Sequence, residues 1–399
     1  MHHPLILGLG AVSPAGADRV AFRQALFEVP NAPERQAVPG FPPSGRSWQH
    51  GYLARLSASA DTRLSRFNQM ALSAALEALT DARNRGLDLA RLRVGFVIGT
   101  AAGQADQAER ARACGQQATV QECHAYDTVD QLIEALPVVI DGPAFSISNA
   151  CAAGLYAIAH AADLMADGHV DAMLVLGVEV LSRVTQAGFQ KMTALDPDRC
   201  RPFDSVRAGT VLGEGASAVL LVSAAAVRQQ GARAYGSVLG AGFSCDAHHP
   251  TAPRPDGQGI RDAVRRAMQA ANVLAQHIDL VVPHGTGTPL NDRIEGQMLA
   301  ELLGDRLPTV ALMPIKAHIG HCAGASGIFS VVAAAQALAS GQTPPTLHLT
   351  EQQADPECAL ALHAQAQSLP AAGGCHALVN AYGFGGNNIS MVLQGVLHA

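Results

Sequence analysis

One cysteine, Cys151, lies where a predicted strand gives way to a predicted helix. The segment F-S-I-S (145–148) favours a strand, and the small-residue run that begins around Ala152 favours a helix. The partial positive charge of a helix N-terminus stabilises a thiolate, so this position predicts a lowered thiol pKa. Gly154 and the neighbouring alanines leave room for a thioester. The simpler alternative is a buried cysteine in a helix of small residues.

Two histidines supply the groups that a reactive cysteine needs. His284 opens the loop H-G-T-G-T-P-L-N-D, which is too polar and too rich in glycine to continue the preceding strand. His321 ends K-A-H-I-G-H and begins another small-residue helix. It therefore occupies in the second half of the chain the position that Cys151 occupies in the first half. Two imidazoles near a thiolate could polarise a thioester carbonyl and stabilise an enolate. That enolate is the difficult charge in a Claisen condensation.

The other histidines are weaker candidates. Most of the 16 histidines are expected to be surface or structurally satisfied residues. His318 shares a turn with His321 but is displaced along it. His248 and His249 either line a site entrance or cap a turn.

The elements that position these residues repeat along the chain. Residues 67–103 and 259–288 share one plan of helix, turn, β-branched strand and glycine-containing loop, and 145–166 and 313–338 share a plan of strand, turn and small-residue helix. Helices rich in alanine and glycine suit a layer between two sheets. We therefore predict a duplicated, five-layer α/β/α/β/α fold, with one half in residues 1–235 and the other in 236–399.

Composition narrows the class of protein. The 399 residues are 48% hydrophobic and 15% charged, which predicts a large core, and a net charge of −6 argues against nucleic-acid binding. The eight cysteines form no C-x-x-C pair, so neither a metal site nor a disulfide framework is predicted. No signal-peptide pattern and no apolar run of membrane-spanning length is expected, which favours the cytoplasm.

Seven motifs spread along nearly the whole chain resemble the β-ketoacyl synthase family. They are G-L-G-A-V-S-P-A-G (8–16), N-A-C-A-A-G (149–154), R-P-F-D (201–204), L-G-E-G-A (212–216), H-G-T-G-T-P-L-N-D (284–292), K-A-H-I-G-H-C-A-G-A-S-G (316–327) and N-A-Y-G-F-G-G-N-N (380–388). Their order and spacing are specific, although each glycine-rich fragment alone would be weak. The resemblance implies a thiolase-like fold and a β-ketoacyl-[acyl carrier protein] synthase, an acyltransferase of fatty acid or polyketide assembly.

The resemblance also implies a Cys-His-His mechanism in two stages. Cys151 accepts an acyl group from carrier protein or coenzyme A, with its carbonyl oxygen held by the backbone N–H groups of Cys151 and Phe384. His284 and His321 then assist loss of the carboxyl group from malonyl carrier protein and hold the enolate that attacks the acyl-enzyme. No separate cofactor is implied, because the substrates are carried on the 4'-phosphopantetheine arm of acyl carrier protein.

Further residues match positions that the family uses around the site. Lys316 and Glu295 correspond to a pair that would orient His321 and tune the local field. Asp292, in the loop that follows His284, is a further candidate for substrate binding. Thr286 and Thr288 resemble threonines that hydrogen-bond the pantetheine arm. Phe384, between two glycines, resembles a gating phenylalanine.

Several segments depart from the family pattern. The region between Gly103 and Pro143 lacks the usual Pro-rich and Phe-rich segment, Ala381-Tyr382 stands where Ser-Phe is usual, and Ala102 stands where relatives often have a bulkier residue. A small residue there suggests room for a long, rigid or aryl acyl chain. These departures favour a specialised pathway, such as one with a polyene or polyketide-like product.

The acidity of acyl carrier proteins predicts basic contacts near the site entrance. The candidates are Arg63, Arg66, Arg201 and Arg207, for which a solvated surface role is the alternative. The family is dimeric, so we expect a homodimer or a heterodimer with a ketosynthase-like chain-length factor.

Three other functions share this fold. A thiolase needs a second C-terminal catalytic cysteine, and Cys375 lacks the right setting because it precedes a strand. A starter-type condensing enzyme has asparagine in place of one histidine, whereas K-A-H-I-G-H keeps histidine. A chain-length factor usually lacks the nucleophile, so Cys151 argues against that function.

Overall fold

Some helices begin or end at capping groups that the sequence supplies. The computed structural model describes residues 3–28, 32–41, 46–56, 64–115, 125–347, 354–360, 365–370 and 374–396. Ser65 caps one helix by accepting a hydrogen bond from the Asn68 N–H, and Ser182 caps another in the same way. Gly341 ends a long apolar helix in the left-handed conformation, at a φ of 69°.

The first part of the chain contributes seven strands and seven helices among the described residues. They are β1 (Leu5–Val12), α1 (Arg19–Phe27), β2 (Gln36–Ala37), β3 (His50–Gly51), α2 (Arg66–Asn84), β4 (Val94–Gly99), α3 (Ala105–Ala113), α4 (Ala125–Ala135), β5 (Ala144–Ile147), α5 (Ala153–Ala166), β6 (Ala172–Glu179), α6 (Arg183–Lys191), β7 (Gly215–Val222) and α7 (Ala224–Gln230).

The second part repeats much of this order. Its elements are β8 (Gly236–Cys245), α8 (Gln258–Ala271), β9 (Ile278–Val282), α9 (Pro289–Leu303), β10 (Ala311–Leu312), α10 (Lys316–Ile319), α11 (Ser326–Ser340), β11 (His376–Gly383) and β12 (Asn387–Gly395).

Ten of these strands form a sheet that consists of two equivalent halves. The strand order is β10-β9-β11-β12-β8-β1-β7-β6-β4-β5. From the centre outward, each half has two antiparallel pairings followed by two parallel ones. The halves meet where β1 pairs with β8, at Leu5 with Ser237 and Ile6 with Gly236. The duplication predicted from the sequence is thus present in the strand order, while the division at residues 235 and 236 stays a prediction.

Helices cover both faces of each half-sheet and give five layers. On the outside, α2 packs on β1, β6 and β7, and α8 packs on β8 and β12. Between the half-sheets lie α5 and α11, which contact each other and strands of both halves. Small residues allow this approach, since a Cβ on Gly154 of α5 would lie 2.7 Å from the Gly324 carbonyl oxygen. The predicted α/β/α/β/α arrangement is confirmed.

The apolar composition of α11 follows from its central place. Among the described residues one window, 323–340, has the length and hydropathy of a membrane-spanning helix, so the expectation that no apolar run reaches that length was wrong. Of that window, 89% is buried inside the protein. A helix packed between two sheets is surrounded by apolar side chains, so its own residues are apolar on every face. A membrane-spanning helix has the same composition for the same reason.

Two predicted boundaries around the site differ from the structure. The second-half strand covers only Ala311–Leu312, so the strand predicted from residue 313 has already ended there. The short helix α10 then intervenes, and α11 begins at Ser326. His321 therefore lies in a turn between two helices and not at the start of α11. Cys151, by contrast, directly precedes the N-cap of α5, Ala152.

Candidate active site

A sharp turn presents Cys151 between β5 and α5. Ala150 adopts a positive φ of 46°, a conformation that L-residues with a Cβ rarely take, and Cys151 follows it. The end of β11 lies against this turn, because a Cβ on Gly383 would be 3.2 Å from the Asn149 carbonyl oxygen. Strain and close packing together fix the position of the thiol.

The thiol is in contact with an imidazole of the other half of the chain. Cys151 Sγ lies 3.0 Å from His321 Nε2, and His321 Nδ1 lies 3.1 Å from the hydroxyl oxygen of Ser326. All three residues are buried. The contact joins the turn after β5 to the turn after α10, the short helix that follows β10, and β10 is the equivalent of β5 in the second half. The duplication thus brings Cys151 and His321 together.

The expected depression of the thiol pKa was wrong. Burial raises the pKa of Cys151 to about 12, against the smaller lowering effects of the Lys316 ammonium and of the backbone N–H groups of Cys151 and Phe384. A position before a helix therefore does not outweigh removal of the sulfur from water. The same two N–H groups face the sulfur, where they can also meet the oxygen of a group attached to it.

Hydrogen bonds to its backbone fix the position of His284. The Glu295 carboxylate accepts hydrogen bonds from the N–H groups of His284 and Gly285, both at 2.8 Å, and from the Asn380 side chain at 3.2 Å. The Lys316 ammonium donates to the His284 carbonyl oxygen. Gly285 has a positive φ of 40°, which lets the loop turn over the carboxylate.

Lys316 and Glu295 thus act on a different histidine from the one expected. Among the described residues they form no direct ion pair; instead they contact opposite sides of the His284 peptide backbone. Their charges still interact, since the Glu295 carboxylate opposes the lowering of the Lys316 pKa by burial. Burial raises the pKa of Glu295 to about 7. The expectation that this pair orients His321 is therefore corrected in favour of His284.

Both imidazoles are neutral at physiological pH. Burial, followed by the nearby Lys316 ammonium, holds the pKa of His321 well below its usual range, and the same effects together with His321 lower the pKa of His284. Their ring centroids lie 5.6 Å apart with the planes nearly perpendicular, at 88°. A neutral imidazole has one N–H donor and one acceptor nitrogen, so both rings can donate or accept a proton.

The sulfur and both imidazoles line one cavity of about 390 Å³. Phe384 lies on its wall with its ring centroid 5.4 Å from that of Phe189, which in turn lies 6.2 Å from the His321 ring. Thr286 and Thr288 line the same cavity, and their hydroxyl oxygens are 2.8 Å apart. The cavity thus combines a thiol, two neutral imidazoles and hydroxyl groups.

This constellation occurs in a chain whose two parts match known family models. Residues 5–226 match the model described as "Beta-ketoacyl synthase, N-terminal domain", and residues 235–350 match "Beta-ketoacyl synthase, C-terminal domain". The chain belongs to the β-ketoacyl synthase family. It is a condensing acyltransferase, and the thiolase-like fold implied by its motifs is the fold observed.

Curated relatives and solved structures agree with this membership. The chain is 30% identical to the 3-oxoacyl-[acyl-carrier-protein] synthase 2 of Synechocystis sp., covering 98% of this chain and 97% of the relative. It is also 30% identical to the enzyme of the same name from Staphylococcus aureus strain N315, with the same coverage. Among solved structures, "The ishigamide ketosynthase/chain length factor" is 27% identical with a TM-score of 0.86, and a β-ketoacyl synthase from Burkholderia phymatum STM815 is 25% identical with a TM-score of 0.85. Each covers 100% of both chains.

Two predicted substrate-binding residues of this ketosynthase do not line the cavity. Asp292 is fully buried and accepts hydrogen bonds from the N–H groups of Phe203, Thr286 and Gly287, so it shapes the threonine loop from behind. Ala102 is exposed in the single chain, and its N–H donates to Glu179 at 3.0 Å.

The described arginines proposed for carrier contact are engaged in ion pairs. Arg207 is the clearest correction, because its side chain is 4% exposed and pairs with Asp292 and Asp355 inside the protein. Arg66 pairs with Glu214 and Arg201 pairs with Asp196, and these side chains are 25% and 18% exposed. Arg63 lies outside the described residues. Carrier contact by Arg66 and Arg201 stays a prediction.

Two further site residues were not identified from the sequence. Ser326 contacts His321, and it was missed because it lies in an unremarkable small-residue run. Glu179 accepts hydrogen bonds from the N–H groups of Ala101, Ala102 and Gly324, so it joins the loop after β4 to the turn that follows His321. A lone carboxylate at the end of the apolar strand A-M-L-V-L-G-V-E was the available signal. Burial raises the pKa of Glu179 to about 7.

The structure assigns positions to two of the other histidine candidates, while the role of His248 stays a prediction. His249 Nδ1 accepts hydrogen bonds from the N–H groups of Thr251 and Ala252, each at 3.1 Å, and those two residues line the cavity. His249 therefore caps a turn that is part of the cavity wall. His318 is buried in α10 and is not on that wall. Within the described part of the chain, no cluster of three or more His, Cys, Asp and Glu side chains is placed to hold a metal ion.

Proposed function

We propose that this ketosynthase joins an acyl group held on Cys151 to a malonyl thioester carried by acyl carrier protein, with loss of carbon dioxide. The observation that carries the proposal is the 3.0 Å contact between Cys151 Sγ and His321 Nε2, with the His284 ring beside it in one cavity. A nucleophile within reach of a proton acceptor is the arrangement that acyl transfer needs. A second imidazole adds a donor for the enolate.

In the first stage the Cys151 thiol attacks the acyl thioester. Because burial raises the pKa of the thiol to about 12, the thiolate is scarce before substrate binds. His321 Nε2 accepts the S–H proton as the new C–S bond forms, and the proton passes to the departing carrier thiolate. The N–H groups of Cys151 and Phe384, which face the sulfur, hold the carbonyl oxygen of the tetrahedral intermediate.

In the second stage malonyl thioester loses its carboxyl group as carbon dioxide. The N–H groups of His284 and His321 donate to the thioester oxygen and stabilise the enolate. The enolate carbon attacks the acyl carbonyl, the C–S bond to Cys151 breaks, and the Cys151 thiolate that leaves takes up one proton from solvent. The products are β-ketoacyl carrier protein, carbon dioxide and free enzyme.

Ser326 permits His321 to take part in both stages. A hydroxyl both donates and accepts, so Ser326 can accept from Nδ1–H, which leaves Nε2 as the proton acceptor for the thiol. It can equally donate to Nδ1, which leaves Nε2–H as the donor for the enolate. The two stages require opposite tautomers of this ring, and the 3.1 Å contact accommodates both.

Lys316 and Glu295 hold the backbone of His284, and through it the second imidazole. Thr286 and Thr288 offer hydroxyl groups to the amides of a phosphopantetheine arm, and the half-buried Phe384 stands beside the thiol as a gate. The roles of Thr286, Thr288 and Phe384 follow from the family resemblance and are supported by the shared cavity. No separate cofactor is required by this chemistry.

We also propose assembly into a dimer in the cytoplasm, with acyl carrier protein as the transient partner. The similarity to "The ishigamide ketosynthase/chain length factor" supports a dimer that includes a ketosynthase-like subunit. The same similarity and the sequence departures between Gly103 and Pro143 support a specialised pathway rather than bulk fatty acid synthesis.

Intact-mass measurements test the proposal directly. Wild type, Cys151→Ala and Cys114→Ala, which removes an exposed thiol, are incubated with a panel of acyl thioesters and with malonyl carrier protein. We expect an acyl adduct on wild type and Cys114→Ala only, followed by a β-ketoacyl carrier product. Absence of both adduct and product from folded wild type would overturn the proposal and favour a chain-length-factor role.

The thiolase alternative is disfavoured by the position of Cys375. Cys375 directly precedes His376, the first residue of β11. The site lies beyond the last residue of the same strand, at Phe384. At about 3.3 Å per strand residue, the two ends are roughly 25 Å apart. Cys375 cannot reach a substrate bound at Cys151.

A further inference from the structure

One tyrosine at the site departs from the family pattern. Tyr382 stands where the resemblance leads us to expect phenylalanine. It lines the same cavity as the thiol, and its ring centroid lies 5.3 Å from that of His284. The ring could pack there as phenylalanine does. The hydroxyl group is therefore the feature that needs an explanation.

The hydroxyl of Tyr382 points into a buried polar cluster. Alternation along β11 places Asn380 and Tyr382 on the same face of the sheet, toward α9. The hydroxyl lies beside the Glu295 carboxyl and the Ser390 hydroxyl, and its oxygen has no partner in hydrogen-bonding geometry. Tyr382 is 6% exposed, so water does not readily replace that partner. Of the Glu295 and Asp246 carboxyl groups, Glu295 acts on the hydroxyl more strongly.

Glu295 is surrounded by groups from several elements. It accepts hydrogen bonds from the His284 and Gly285 N–H groups in the loop after β9 and from Asn380 of β11. The Lys316 ammonium of α10 and the Asp292 carboxylate of α9 interact with it electrostatically. Ser390 of β12 donates to Asn380, and Asp246, after β8, lies near the Tyr382 hydroxyl. Among the described residues, the Tyr382 hydroxyl is a further donor beside this carboxyl group.

We propose that Tyr382 is a positioning residue whose buried, unpartnered hydroxyl turns to the Glu295 carboxylate, donates to it and keeps it ionised while malonyl thioester is decarboxylated. The inference rests on the proposed function, because it concerns the residue that holds His284. An ionised carboxylate accepts hydrogen bonds from the His284 and Gly285 N–H groups in the geometry observed. A protonated carboxyl group would present a donor to one of them and release His284.

The direction of the pH effect follows from the hydrogen bond. A donor to the ionised form stabilises that form, so it lowers the pKa of the carboxyl group. Removing the donor raises the pKa of Glu295. As the solution is acidified, the rate of decarboxylation is then lost at a higher pH than in wild type. One pKa unit corresponds to a tenfold change in the ratio of the two protonation states.

The test is the pH dependence of carbon dioxide release from malonyl carrier protein. In Tyr382→Phe we expect the acid limb of the rate to move up by about one pH unit, with the rate about tenfold lower on that limb and nearly unchanged at alkaline pH. KM for malonyl carrier protein should not change, because Tyr382 acts through Glu295. Incorporation of 3-fluorotyrosine at position 382, a stronger donor of similar shape, should move the limb down.

Two controls separate this inference from a general structural effect. Tyr235→Phe removes another buried tyrosine hydroxyl, which donates to Asp81 at 2.9 Å away from the site, and it should leave the limb in place. In a Glu295→Gln background, Tyr382→Phe should have no further effect on the pH profile. A limb that stays in place in Tyr382→Phe, or that persists in Glu295→Gln, would overturn the inference. Failure of the proposed function is distinguishable, because folded wild type would then release no carbon dioxide and form no condensation product.

Discussion

Replacing Lys316 by methionine should separate the two stages of the reaction. Methionine keeps the unbranched shape but removes the ammonium that donates to the His284 carbonyl oxygen. A hydrogen bond from a charged group contributes about 1.5–3 kcal/mol, and about 1.4 kcal/mol is a factor of ten in rate. We therefore expect decarboxylation of malonyl carrier protein to fall roughly 10- to 150-fold.

Acyl transfer to Cys151 should fall much less in the same variant. The Lys316 ammonium lowers the pKa of both the Cys151 thiol and the His321 imidazole. Proton transfer from the thiol to the ring depends on the difference between these pKa values, so loss of the ammonium affects it little.

Rapid-quench intact mass measures the first stage, and carbon dioxide release measures the second. Lys191→Met is the matched control, since Lys191 is the other lysine of the chain and is exposed. An equal fall in both stages, or an unchanged rate of decarboxylation, would refute the assignment of Lys316 to His284.

Three further perturbations probe other contacts. Ser326→Ala should slow both stages about fivefold, because a neutral hydrogen bond contributes about 1 kcal/mol, and stopped-flow rates equal to wild type would contradict this. Since burial raises the Cys151 pKa to about 12, alkylation of the free enzyme at this residue should keep rising into the alkaline range, and a plateau near neutral pH would reveal a preformed thiolate. Gly154→Val should lower the free energy of unfolding in urea by about 2–3 kcal/mol, whereas Gly188→Ala, with open space around it, should not.

The fold and the identity of the central residues could be predicted because both depend on patterns along the chain. Repeated helix and strand periodicity predicted the duplication, and the duplication predicted equivalent places for Cys151 and His321 in the two halves. The small residues of α5 and α11 likewise indicated a central layer. Each of these inferences uses only spacing and residue size.

The errors concern groups whose partners come from distant segments. Spacing could not reveal that Lys316 and Glu295 contact the backbone of His284, or that Arg207 is buried against Asp292. The thiol pKa was misjudged for a related reason. Local sequence indicates the helix after Cys151. The burial that dominates the thiol pKa, however, comes from the second half of the chain, including β11.

The division of the site between the two halves has a consequence for biosynthesis. The ribosome completes the segment with Cys151 well before it makes His284 and His321, and the backbone N–H of Phe384 emerges later still, just ahead of β12. A nascent chain therefore carries the thiol without its proton acceptor and without one of its two oxyanion donors. Catalytic competence arises only after synthesis has passed Phe384, so translation products that stop before it should fail to consume acyl thioesters.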